Sequence, residues 1–330
     1  MREPARSEVA MLVSFFSRRS VRVIRWMSTC LGALALGATS GVLASTPSGA
    51  SPGGGYRLVA GDGGVFSFGA PFFGSPASTP STCVAVAPSP VPSRSCTSMT
   101  TTATGDGYWI LNGSTGAITE YGDAVSYGTP AATFAGVPRD LVPWFHQIVA
   151  TADGRGYWVL AIGLSRLGSV EGFGDAHTYG DETATAGPRG HVGSPVTMAP
   201  TPTANGYWIA DSDGGVFSFG DARFYGSMGG KSLDAPVVGM TATADGKGYW
   251  LVAADGGVFS FGDATFYGSM GGKSLNAPVV GMTATADGLG YWLVAADGGV
   301  FSFGDARFYG SMGGKSLDAP VVGISASPPE

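Results

Sequence analysis

The sequence predicts an all-β fold: a six-bladed β-propeller of four-stranded blades, each about 42–52 residues long. Three observations carry this. From Tyr207 onward one pattern is written three times: GYW, a DGG turn, VFSFGDA, FYGSMGGKSL and APVVG, with Tyr207/Trp208, Tyr249/Trp250 and Tyr291/Trp292 spaced 42 residues apart. Looser copies begin at Tyr108/Trp109 and Tyr157/Trp158, and a sixth, Tyr56-Arg57-Leu58-Val59, keeps the frame without the Trp. A fixed period of this length marks repeated supersecondary units, each too small to bury its own apolar face. Third, the first copy starts at a second strand, and the last ends on Pro320 to Ala326, the strand the first copy lacks. The C-terminal strand is therefore expected to pair into the first blade and close a ring. A solenoid, the alternative, has shorter coils, ends in capping units and has no reason for matching half-units.

Residues 1–44 stand outside the repeat and are expected to be a secretory signal peptide. Arg18, Arg19, Arg22 and Arg25 precede an uncharged run from Trp26 to Ala44 that ends in small residues. A retained anchor would need a less diluted run than one containing Gly32, Gly37, Thr39, Ser40 and Gly41. The stretch before Arg18 is long for such a signal, which leaves Met11 and Met27 as alternative starts, and Ser17-Arg18-Arg19 hints at a twin-arginine signal that Val21-Arg22 continues poorly. Residues 45–55 read as a flexible linker and 56–330 as the propeller.

Within one unit, Val279 to Thr285 is expected as a first strand and Tyr291 to Ala295 as a second. Asp297-Gly298-Gly299 then makes a tight hairpin, Val300 to Phe303 a third strand, and Phe308 to Ser311 a fourth. Asp-Gly pairs allow the positive φ angles that short hairpins demand. Trp292 and Val294 face one way, Tyr291, Leu293 and Ala295 the other, and both sets are apolar. Such a strand belongs between two neighbouring sheets. No window after residue 44 has a helical period, and 55 glycines oppose long helices.

The stretch Val252 to Gly272 resembles the blade motif of regulator-of-chromosome-condensation-like propellers, in which an Asp-Gly turn precedes V-x-x-W-G and Y-G-Q-L-G. Asp255, Gly256, Val258, Gly262, Tyr267, Gly268 and Gly271 match, while Phe261, Ser269 and Met270 replace the Trp, Gln and Leu. The similarity weakens towards residue 56. Compact secreted bacterial members look closest in blade length, and the repeat also looks like those found beside cell-wall hydrolase or esterase domains. The resemblance implies a fold and carries over no functional residue.

Charge and cysteine usage narrow the partners. Without residues 1–44, which hold six Arg and two Glu, the net charge moves from −6 to −10. Nucleic acid and anionic lipid are therefore not expected as partners. Cys83 and Cys96 share one long loop, and in an exported protein they are expected to form a disulfide.

Near-identical blades are poor hosts for catalysis, which needs different residues in different roles. The first three units differ, with spacings of 52, 49 and 50 residues. Their extra length falls in 75–95, 129–143 and 181–195, connections that emerge on one face of a propeller, where binding residues gather. Within them Trp144, Phe145 and His146, together with Arg189 and His191, read either as an aromatic and basic rim or as loop cover with ordinary exposed histidines. Asp211-Ser212-Asp213-Gly214 has the start of a calcium loop without its distal ligand. The Gly-Asp-Ala aspartates (Asp123, Asp175, Asp221, Asp263 and Asp305) are expected to form side-chain-to-backbone turns. Gly229-Gly230-Lys231-Ser232 lacks the glycine spacing and the helix of a phosphate loop. No G-x-S-x-G or H-E-x-x-H occurs, and nothing places a nucleophile beside His146, His177 or His191.

The expectation is a secreted, monomeric, non-enzymatic propeller without cofactor or metal, which binds a protein or cell-surface glycan through the loop-rich face of blades 1–3. Two alternatives remain. One is a secreted hydrolase or lyase at the channel mouth, with Asp140, Asp181 and Glu182 as its loop acids. The other is a multivalent structural or adhesive module whose repeated Phe-Tyr-Gly faces each bind weakly.

Overall fold

A computed structural model describes residues 54–76, 97–137, 142–162, 168–182 and 193–329. The chain divides into Met1–Thr46 and Pro47–Glu330, and all described residues lie in the second unit. The expected signal peptide, Cys83, Cys96, Asp140, Arg189 and His191 lie outside the described residues.

The described chain is all-β, with six three-stranded antiparallel sheets. The first is formed by β1 (Tyr56–Ala60), β2 (Val65–Phe68) and the last strand, β18 (Val321–Ala326), in the order β18-β1-β2. The second runs β3 (Thr97–Thr101), β4 (Gly107–Asn112), β5 (Ile118–Gly122), and the third β6 (Trp144–Ala150), β7 (Gly156–Ile162), β8 (Gly168–Gly174). Next come β9 (Pro195–Pro200), β10 (Gly206–Asp211), β11 (Val216–Gly220) and β12 (Val237–Ala242), β13 (Gly248–Ala253), β14 (Val258–Gly262). The sixth is β15 (Val279–Ala284), β16 (Gly290–Ala295), β17 (Val300–Gly304). The two ends of the repeat do meet: Leu58 lies opposite Ile324 and Tyr56 opposite Ala326.

The middle strand of each sheet is buried on both faces. Its two faces pack against different neighbours. Trp292 and Val294 pack with Tyr56 and Leu58, whereas Tyr291 and Leu293 pack with Trp250 and Val252. Equivalent clusters join β1 to β4, β4 to β7, β7 to β10 and β10 to β13, so the succession of neighbours returns to its start. The first strands follow the same cycle, β3 against β6, β9, β12, β15 and β18 in turn, with β18 against β3.

The expected fourth strand is absent, because its backbone groups are bonded elsewhere. The Thr265 carbonyl accepts Trp250 Nε1 at 2.8 Å, the Tyr267 amide donates to the Tyr291 hydroxyl at 3.2 Å, and the Gly268 carbonyl accepts that hydroxyl at 2.6 Å. Gly268 also sits at φ +136, where a side chain would be strained and would meet the Phe303 ring. Side chains of the same sheet and the next replace a ladder here. All six units repeat this lock, with each middle-strand tyrosine donating to a glycine carbonyl at 2.5–2.6 Å.

Where five sheets use Trp, the first uses Arg57, fully buried. Its Nε donates to Pro71 O at 2.9 Å, as Trp Nε1 does elsewhere, and Nη2 donates to Gly105 O at 2.8 Å. Its guanidinium lies over the Tyr108 ring at 5.1 Å, standing in for the Trp–Tyr packing of the other junctions. A four-residue helix, α1 (Pro130–Thr133), capped by Thr129, was not foreshadowed by any helical period.

Candidate functional site

Three places depart from the shared scaffold or open a space within it. The first is the end of the sheets that carries the long connections. These span 69–96, 123–143 and 175–194, against 221–236, 263–278 and 305–320 in the repeated half. Trp144, Phe145 and His146 lie there, but on the first residues of β6 rather than in a loop. Trp144 is 40% exposed. Phe145 is buried, with its ring 5.8 Å from Phe134 beside α1, so it seals the enlarged connection from beneath. His146 occupies a β-bulge where β9, β12, β15 and β18 carry Val196, Val238, Val280 and Val322. Burial pushes its imidazole pKa down, opposed by a hydrogen bond to the Val196 backbone of the next first strand.

The second place joins the third sheet to the fourth. Glu182 and Asp211 are almost fully buried and their side chains are hydrogen-bonded to each other. Gly168 N donates to Glu182 Oε2 at 3.1 Å. Burial raises the Asp211 carboxyl to about 7, with Asp213 adding to the rise and Glu182 opposing it. The tyrosine–glycine lock aligns Glu182 with Met228, Met270 and Met312, and β-strand register aligns Asp211 with Ala253 and Ala295. Two carboxyls thus replace a methionine and an alanine on opposite sides of one junction. The sequence signal that could have found them was Glu182 in the methionine frame.

The calcium-loop spacing at 211–214 resolves differently. Asp213 accepts Gly215 N at 2.9 Å, as Asp62, Asp255 and Asp297 do in their hairpins. At the opposite end of the sheets, Asp123 and Asp221 accept threonine hydroxyls, Thr102 at 2.8 Å and Thr201 at 2.9 Å. Asp175 and Asp305 accept Thr151 and Thr285 in the same way, so these four Gly-Asp-Ala aspartates tie the turn between the first and second strands through its threonine, and the Asp305 carboxyl also bonds to its own backbone. Among the described residues no group of three or more His, Cys, Asp or Glu could hold a metal ion.

The third place is a cavity of about 330 Å³ lined by all six first strands. Five threonines, Gln147 and Ser325 supply its polar side-chain atoms, and none of the described residues that line it is charged. The free edges of these strands are partly satisfied across the junctions: Ile148 N donates to Ser98 Oγ, Ala150 N to Thr100 Oγ1, and Met198 N to Gln147 Oε1 at 2.6 Å. Its chemistry suits water or a small neutral polar molecule.

The chain matches no protein-family model and no curated protein. Among the described residues no helix is long and apolar enough to cross a membrane.

Proposed function

We propose that the six sheets are the blades of a closed six-bladed propeller related to regulator-of-chromosome-condensation-like repeats. On this reading the protein is a secreted, non-enzymatic binding module that takes a protein or cell-surface glycan on the loop-bearing end of its first three blades. The carrying observation is the segregation of irregularity. One scaffold is kept at all six junctions, while the longest connections precede β3, β6 and β9, with the exposed Trp144 at the start of β6 and the buried carboxyl pair at the third junction. Binding residues concentrate where a rigid scaffold carries irregular connections. The test is retention on isolated cell envelopes. The intact protein is retained, and Trp144→Ala or grafting the short 263–278 connection in place of 123–143 lowers retention without lowering the melting temperature. Equal retention of every loop variant contradicts the reading.

One observation favours a hydrolase or lyase instead: a carboxyl at about 7 beside a second carboxyl is the arrangement of a general acid–base pair. Against it, both groups are shut away from solvent. Activity on glycan or ester substrates that is abolished by Asp211→Asn and by Glu182→Gln would favour it.

A further inference from the structure

We infer that a second surface, an arc of four exposed phenylalanines on the fourth, fifth, sixth and first sheets, binds a neutral polysaccharide by stacking sugar rings on exposed aromatic faces. Phe72, Phe224, Phe266 and Phe308 are 58%, 60%, 56% and 56% exposed. They occupy one position in four sheets that are successive neighbours, from β9-β10-β11 through to β18-β1-β2. Duplication alone would explain the identity of the last three. The first unit is also a close copy, since residues 56–69 differ from 291–304 only at Arg57 and Gly61, but Phe72 is kept within the stretch that has changed, where Ala70-Pro71-Phe72-Phe73 stands for Asp305-Ala306-Arg307-Phe308-Tyr309.

The backbone on both sides of each ring is held. The carbonyl before it accepts from the tryptophan of its own sheet, or from Arg57: Pro71, Arg223, Thr265 and Arg307, at 2.7–2.9 Å. The amide after it donates to the tyrosine hydroxyl of the next sheet: Phe73, Tyr225, Tyr267 and Tyr309, at 3.1–3.2 Å. A backbone fixed on both sides leaves only side-chain torsions to be lost on binding. The second and third sheets place Ser126 and Thr178 at this position, so the scaffold does not need Phe there.

The occupant follows from spacing and charge. Four partly exposed rings set one per sheet, each following the outermost strand, fall short of the apolar area of roughly 1,000 Å² that a stable protein interface needs. A long polymer with a repeating apolar face meets several of them at once. The electron-rich ring face attracts the polarised axial C–H groups of a pyranose. A chain of net charge −6 disfavours a polyanionic glycan. Weak sites linked on one rigid body then gain strength through number.

The probes are insoluble cellulose and chitin, with binding isotherms read for the full chain. Phe266→Ser alone is expected to weaken retention roughly fivefold, and Ser at all four positions by roughly 10²-fold or more, the range expected when linked sites are lost. The serine of the second sheet makes the substitution compatible with folding, and an unchanged melting temperature checks it. If the fourfold variant fails to fold, the pair Phe266→Ser and Phe308→Ser carries the test. Absence of retention on both polymers overturns the inference, as does equal retention of wild type and variants. Phenylalanine-dependent self-association in sedimentation assigns the arc to a second copy of this chain and also overturns it. Loss of polysaccharide retention on Trp144→Ala but not on the serine variants would move the glycan to the loop-bearing end, supporting the earlier proposal and refuting this one.

Discussion

The first strands of the two halves solve one problem in two ways. On β12, β15 and β18 the residue after the bulge is Gly239, Gly281 or Gly323. A Cβ at Gly239 would stand 3.3 Å from the Gly281 Cα, so these backbones approach where a side chain would crowd. On β3, β6 and β9 the same place holds Ser98, Gln147 and Thr197. There Ser98 and Gln147 reach across to the amides of Ile148 and Met198. One half closes by proximity of backbone, the other by side-chain bridges. A bridged junction tolerates change in its neighbours, and the same half carries the long connections, His146 at a bulge and the Glu182–Asp211 pair. Near-identical copies keep the junctions and present repeated features. Drifted copies keep the junctions and acquire singular ones.

The comparison can be broken first at its shared part. Trp250→Ala removes a buried ring from a junction common to both halves and is expected to cost ~3–5 kcal/mol, read by urea unfolding. A loss under 1 kcal/mol would mean that the junctions do not hold the sheets together.

Next is the acid pair, which the repeated half lacks. Folded Asp211 keeps its proton to about pH 7, whereas the unfolded group releases it near 3.8. Between those values the native state binds more protons, so stability falls as pH rises from about 4 to 7, by up to about 4 kcal/mol at 1.36 kcal/mol per unit. Asp211→Asn should flatten that slope in a melting-temperature series. Asp153 and Asp245 are held to about 2, chiefly by hydrogen bonds from Arg155 and Lys247. They lose their contribution only as pH falls from about 4 to about 2, outside this window.

Smaller effects separate the two kinds of first strand. Gly239→Ser should crowd the Gly281 backbone and cost ~1–3 kcal/mol. Ser98→Gly should lose one bridge to Ile148 N and cost ~1 kcal/mol. If both substitutions cost the same and little, the contrast drawn here fails. The smallest effect concerns the turns at the other end. Arg155 and Lys247 sit beside aspartate pairs, but Leu289 occupies that position beside Asp287 and Asp305, whose carboxyls are hydrogen-bonded to each other. Leu289→Lys should raise stability by no more than ~0.5 kcal/mol, an effect that salt removes.

Much of the scaffold was legible because its signals are local. Asp-Gly pairs mark hairpins, two-faced apolar strands mark burial between sheets, and the stray first strand at the C-terminus marks its partner at Tyr56. What could not be read depends on distant partners. Phe308-Tyr309-Gly310 has strand composition, yet the Tyr309 amide and the Gly310 carbonyl answer to the Tyr56 hydroxyl, 253 residues from Tyr309, and the preceding Arg307 carbonyl answers to Trp292. Arg57 showed only as a missing Trp; its stacking on Tyr108 needs the neighbouring sheet. Glu182 looked like one loop acid among several, and its meeting with Asp211 belongs to the junction, not to either segment. Composition likewise could not tell that in each Phe-Tyr-Gly the tyrosine turns in and the phenylalanine out.

The most direct measurement concerns the join between head and tail. Cysteines introduced at Leu58 and Ile324, opposite each other in antiparallel strands with Cα atoms typically ~4.5–5.5 Å apart, should form a disulfide on mild oxidation of the native protein. Mass spectrometry of the non-reduced digest would show the peptide around residue 58 linked to that around residue 324. A link that forms only in denaturant, or not at all, would contradict the pairing of β1 with β18 and with it the closed ring.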